Sequence, residues 1–100
     1  MEEVKNYTYI LECRDGSLYT GWTNHIKRRL AEHNSGRGAK YTRGRGPVRL
    51  VYLEISETKE LAMKREAAIK KLPRNEKMKL VKNMEAKILF DISESLCYDE

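Results

Sequence analysis

The chain is short of several things. Of its 100 residues only two are cysteines, at positions 13 and 97, 84 positions apart, and nothing nearby supplies the spacing of a metal-ligand motif. That excludes a disulfide-built scaffold and a zinc module, and reads as two free thiols in a reducing compartment. No apolar run approaches the length that crosses a bilayer, and Met1-Glu2-Glu3-Val4 does not resemble a signal peptide, so a soluble cytoplasmic protein with no membrane partner is expected. Internal repeats and low-complexity segments are missing. Between Arg37 and Arg49 there is no acid at all, which removes the partners a salt-bridged surface would need.

What is present fits one domain with a modest core: 40% of the residues are apolar and 35% charged. The net charge is +5, but its distribution says more. From Lys27 to Arg49 there are eight basic residues (Lys27, Arg28, Arg29, Arg37, Lys40, Arg43, Arg45, Arg49) and one acid, Glu32, a net of +7 over 23 positions. From Glu85 to the end there are five acids and one lysine. A basic block of this kind is the electrostatic footprint of a polyanion, and nucleic acid is the expected partner.

Periodicity gives the elements. Tyr7 to Cys13 alternates as a strand, Asp15-Gly16 marks a hairpin, and Leu18 to Trp22 is the return strand. Thr23 or Asn24 can cap a helix running to about Asn34, with Ile26 and Leu30 inward, and Ser35 to Gly38 stops it. A basic loop leads through Gly46-Pro47 to a third strand, Val48 to Ile55. A second helix opens at Ser56 or Thr58 and ends after Leu72 at Pro73. A third runs from about Arg74 to Met84, and Met63, Met78 and Met84 are expected to fill gaps between helices. The order β-β-α-β-α-α predicts an α/β fold, a small three-stranded sheet flanked by helices, over residues 1–84. Residues 85–100 form an acidic extension, with Ile88-Leu89-Phe90 as a short strand or a docking patch.

The hairpin loop decides which tyrosines meet. A two-residue turn at Asp15-Gly16 pairs Glu12 with Tyr19 and puts Tyr9 and Tyr19 on opposite faces. A three-residue loop, Arg14-Asp15-Gly16, pairs Leu11 with Tyr19 and places Tyr9, Leu11, Tyr19 and Gly21 together, with Gly16 in the left-handed position such a loop requires. Spacing alone leaves both open.

Two polar side chains fall on inward helix lines. Arg29 borders the Ile26 stripe, with His33 one turn on. Glu66 lies on the line of Ala62 and Ile69, where an unpartnered carboxylate is costly. Its partner is then either Arg29, in a structural salt bridge, or a divalent cation, since Mg²⁺ is held through one or two carboxylates with water and phosphate. These parts suit phosphodiester hydrolysis: a tyrosine to take a proton from water, an arginine for the phosphate, and a carboxylate-bound metal for the leaving oxygen.

Five ordered blocks then resemble the GIY-YIG endonuclease superfamily. They are closest to its small single-domain bacterial branch, related to the nuclease subunit of the eukaryotic Slx structure-specific complex. The blocks are Tyr7-Thr8-Tyr9, Tyr19-Thr20-Gly21, Arg28 to Asn34, the stretch GRGAKYTRGRGPVRLVYL from Gly36 to Leu53, and Arg65 to Lys70. The first triplet keeps only its final tyrosine. The resemblance implies Tyr19 as general base and Tyr9 as the residue that positions water or phosphate. It implies Arg29 as transition-state stabiliser, His33 as a phosphate contact or proton-transfer group, and Glu66 as ligand of a single Mg²⁺ or Mn²⁺. It selects the three-residue hairpin loop, because both tyrosines must share the active face. Arg28, Arg37, Lys40, Tyr41, Thr42, Arg43 and Arg45 are the expected nucleic-acid contacts, DNA above RNA. His25 is expected to be an exposed helix-start residue and Trp22 a core residue. Two other functions compete: a nucleic-acid-binding module that keeps the fold but cleaves poorly, and an interaction module targeted by a protein partner, with the acidic tail as contact or mask.

Overall fold

A computed structural model describes residues 5–84 of the chain. The acidic extension, with Ile88-Leu89-Phe90 and Cys97, lies outside the described residues. The elements run β1 (Asn6–Glu12), β2 (Leu18–Thr23), α1 (Ile26–Asn34), a single 3-10 turn (Lys40–Thr42), β3 (Arg49–Ser56), α2 (Lys59–Lys70) and α3 (Arg74–Asn83). The α/β order is the expected one.

The sheet is antiparallel with β1 in the centre, order β2-β1-β3. Its hairpin settles the register. Leu11 stands opposite Tyr19 and Glu12 opposite Leu18. The Gly16 amide donates to the Cys13 carbonyl at 2.9 Å, the Cys13 amide donates to the Ser17 carbonyl at 2.8 Å, and Gly16 has φ +84°. This is the three-residue loop, closed by a glycine in the left-handed region where a Cβ would be strained.

Because the side-chain period of a strand is two, that register gives the sheet two distinct faces. One face carries Tyr9 and Leu11 into a core with Cys13, Ile26, Leu30, Val48, Leu50 and Leu53, closed by α1 and edged by Tyr7, Tyr19 and Met84. The other carries Ile10 and Val51 against Ile69, with Leu18, Tyr52, Leu80 and Val81 packed around them, so α2 and α3 cover it. The buried Thr8 hydroxyl pins α2 to β1 by donating to the Ala62 carbonyl at 2.9 Å. At the hairpin tip Arg74 Nη2 donates to the Gly16 carbonyl at 3.0 Å, which seats the start of α3 there.

Local chemistry explains the ends. Thr58 caps α2, its hydroxyl accepting from the Leu61 amide at 3.1 Å, with Glu60 in the first turn beside the positive end of the helix dipole. The α1 cap differs from expectation. Its cap position is His25, exposed and without a side-chain cap, because the Thr23 hydroxyl turns to the His25 amide instead, at 3.0 Å. Trp22 is only half-buried, on the α2 side of the sheet with the Lys59 ammonium 5.6 Å from its ring. Met63, expected between helices, is exposed, because it lies off the Ala62–Ile69 line that meets the sheet.

Candidate active site

The shared face of the hairpin brings Tyr9 and Tyr19 within 6.4 Å of each other, centroid to centroid. Gly21 makes this possible. It stands opposite Tyr9, and a Cβ there would lie 2.6 Å from the Tyr9 hydroxyl and 3.1 Å from the Tyr19 ring. The phenol therefore rests on bare backbone, a position only glycine can fill.

From α1, His33 completes the cluster. Its ring centre is 6.0 Å from that of Tyr9 and 5.3 Å from that of Tyr19. The ring is 1% exposed, and both nitrogens are engaged: Nε2 lies 3.0 Å from the Tyr9 hydroxyl and Nδ1 2.8 Å from the Thr42 hydroxyl. Burial, reinforced by the charge of Arg29, pushes the His33 pKa down to about 4, so the imidazole is neutral at physiological pH. Burial likewise pushes the Tyr9 phenol up to about 12. A donor from Arg29 pulls the other way, while negative charge at Tyr19 and at Glu66 adds to the rise. Tyr9 is a neutral phenol in this setting, and the half-buried Tyr19 is the more accessible of the two.

Arg29 thus reaches Tyr9, while its Nη1 also pairs with Glu32 at 3.1 Å. Glu66 comes from the opposite side of the sheet. Helix α2 covers the other face, yet its outer side chains come round the edge strand β2: the Lys70 ammonium stands 6.0 Å from the Tyr19 ring and 3.5 Å from the Glu66 carboxylate. Of the two alternatives for Glu66, the salt bridge to Arg29 is not formed. Each has a neighbour on its own helix instead, Glu32 three residues from Arg29 and Lys70 four residues from Glu66, which costs less chain ordering than a bridge across the sheet. Glu66 is 20% exposed rather than sealed in, so a small hydrated ion can reach it. No group of three or more potential metal-ligating side chains exists among the described residues. A lone accessible carboxylate fits a hydrated Mg²⁺ or Mn²⁺, not an ion that needs a protein cage.

The basic loop is more ordered than its composition suggests. Tyr41, 41% exposed, stacks on Tyr19 with ring centres 5.9 Å apart. The Arg45 guanidinium lies 4.4 Å from the Tyr41 ring and pairs with Asp15 of the hairpin at 2.9 Å. Arg28, Arg37 and Arg43 are exposed, as expected of nucleic-acid contacts, and Lys40 opens the 3-10 turn. Thr42 departs from that expectation. It is buried, and its hydroxyl bonds His33 and the Ala39 carbonyl, so it cannot line a solvent-facing surface.

Sequence reasoning missed Lys70 and Gly38 at the site and put Thr42 on the surface rather than against His33. The Glu66–Lys70 pair was readable from its i,i+4 spacing. Gly38, where a Cβ would fall 2.5 Å from His33 Nδ1, and the burial of Thr42 against the same ring leave no periodic trace. The only signal for them is that a buried histidine needs two partners.

Residues 5–80 match the GIY-YIG catalytic domain. A UPF0213 protein of Clostridium perfringens is 58% identical over 82 residues, which are 82% of this chain and 88% of that one. Two proteins with solution NMR structures are similar as well. The UPF0213 protein BH0048 from Bacillus halodurans is 54% identical with a TM-score of 0.52, covering 78% of this chain and 83% of its own. The protein EF2693 from E. faecalis is 48% identical with a TM-score of 0.57, covering 81% and 86%. With the tyrosine pair on one face, the three-stranded sheet and this breadth of match, the chain belongs to the GIY-YIG family, alongside the UPF0213 proteins.

Proposed function

We propose that this chain is a divalent-metal-dependent endonuclease that hydrolyses DNA phosphodiester bonds. The observation that carries the reading is convergence: Tyr9, Tyr19 and His33 lie with ring centres 5.3 to 6.4 Å apart, and both Arg29 and Glu66 act electrostatically on the same phenol. Tyr19, the accessible tyrosine, takes a proton from the attacking water. Tyr9, held between His33 and Gly21, fixes the site from beneath. Arg29 turns its planar fork from Glu32 to a phosphate oxygen, an exchange that is cheap because a half-exposed i,i+3 pair is worth at most about 1 kcal/mol. Glu66, now paired with Lys70, is the residue that would hold the metal ion, which would supply positive charge at the leaving oxygen. His33, buried and neutral, is placed to bond Tyr9 rather than phosphate. Arg28, Arg37, Lys40, Tyr41, Arg43 and Arg45 carry the backbone of the strand.

The Glu66–Lys70 pair favours a second reading, a module that binds nucleic acid and cleaves poorly, since a lysine already occupies the carboxylate. Labelled single-stranded, duplex and branched DNA incubated with Mg²⁺, Mn²⁺ or chelator separates the two. Nicking that requires the metal and disappears in Glu66→Ala is the expected result. Binding without nicking in every metal would establish the second reading, and equal nicking by wild type and Glu66→Ala would remove the metal from Glu66.

A further inference from the structure

We propose that Thr42 is a positioning residue. It holds His33 in the tautomer protonated at Nδ1 and so fixes Tyr9 as the donor in the Tyr9–His33 bond. The direction follows from counting protons. The Ala39 carbonyl can only accept, and Thr42 Oγ1 lies 2.9 Å from it. Two oxygens at that distance need a hydrogen between them, and only the hydroxyl has one. The hydroxyl therefore turns lone pairs toward His33 Nδ1, 2.8 Å away, and that contact needs the hydrogen on the ring. A neutral imidazole carries a single N–H. Nε2 is then an acceptor, and the 3.0 Å contact to Tyr9 runs from phenol O–H to ring nitrogen.

The loop backbone is shaped around the same nitrogen. Gly38 is buried over the imidazole, and a Cβ at 38 would stand 2.5 Å from Nδ1 and 2.8 Å from His33 Cα. The 3-10 turn that follows delivers Thr42 to the ring from the other end of the segment, its amide donating to the Ala39 carbonyl at 3.0 Å. Glycine at 38 and a hydroxyl at 42 thus act as one clamp.

The tautomer sets what Tyr9 can offer Arg29. With its hydrogen directed to Nε2, the buried Tyr9 oxygen presents only lone pairs to the Arg29 guanidinium. It therefore accepts from Arg29 and helps aim the group that is to meet the phosphate. The opposite tautomer would reverse the bond and turn the phenol hydrogen toward the site. This consequence for cleavage rests on the nuclease reading; the tautomer itself does not.

The test is long-range ¹H–¹⁵N NMR of the full chain labelled at histidine, at neutral pH, beside the nicking assay. Wild type is expected to show His33 protonated at Nδ1 and bare at Nε2. Thr42→Val removes the acceptor, so the ring should move toward the Nε2–H form and nicking should fall about 10-fold or more, the scale set by outer partners of functional histidines. Thr42→Ser should restore both. Gly38→Ala, which keeps the hydroxyl but displaces the ring, should also lose the Nδ1–H signature. A wild-type ring protonated at Nε2, or a Thr42→Val ring with an unchanged tautomer, would overturn the proposal. A wild type that nicks no DNA would remove the nuclease reading alone, because the ring spectrum decides the clamp without it.

Discussion

His33 is the residue on which burial and chemistry meet most closely. Its two nitrogens are taken by Tyr9 and Thr42, and a proton added to the ring would have to break or reverse the Tyr9 bond in a buried setting, under the repulsion of Arg29 and with Glu32 favouring it. The folded pKa of about 4 lies below the ordinary 6.5, so the unfolded chain takes up the proton first as pH falls. The stability this neutral ring supports is complete above pH 6.5 and is lost as pH drops from there toward 4. Between pH 7 and 5 the loss should be about 2 kcal/mol by linkage. Urea denaturation of wild type and His33→Gln at both pH values isolates the term. The expected difference between the two proteins shrinks toward pH 5, and a difference that does not change with pH would mean that the ring protonates freely inside the fold.

At the level of elements, β2 carries both the site and an anomaly. On the tyrosine face it supplies Tyr19 and Gly21; on the other it puts Thr20 opposite Ile10, where the Thr20 hydroxyl is buried without a hydrogen-bond partner. Thr20→Val keeps the shape and removes the orphaned oxygen, and should stabilise the protein by about 1 kcal/mol, raising Tm by a few degrees. A lower Tm would show that the hydroxyl is satisfied after all. The same strand shows how far sequence reaches. Alternation alone could not choose between hairpin loops, because a one-residue slip moves Tyr19 to the other face while leaving a plausible strand. Gly16, able to take φ +84°, was the deciding residue, and its meaning became clear only beside the requirement that Tyr9 and Tyr19 meet. Helix α2 was legible from the Ala62–Ile69 line, but that line said nothing of how Glu66 reaches round the sheet edge to influence Tyr9. The loop after α1 was the least legible. A threonine among arginines reads as solvated, and only three-dimensional closure shows it buried on His33.

Across the whole molecule, two cations of the Lys27 to Arg49 block stand at the tyrosine cluster: Arg29 sits beside Tyr9, and Arg45 reaches Tyr19 through Tyr41. The basic block of the sequence thus contributes at least these two guanidinium groups to the site, the kind of charge that the proposed polyanionic substrate requires. Arg45 and Arg29 each rest on an acid that a phosphate can replace, Asp15 and Glu32. The most direct test of the account is the single-turnover nicking rate of Tyr19→Phe, with protein in excess over labelled DNA and Mg²⁺ or Mn²⁺ present. Removing one oxygen from the accessible phenol should lower the rate by about 10²-fold or more, while the dissociation constant for DNA measured in chelator changes by less than about twofold. A Tyr19→Phe protein that cuts as fast as wild type would contradict the assignment of proton transfer to this tyrosine, and with it the chemistry proposed for the site.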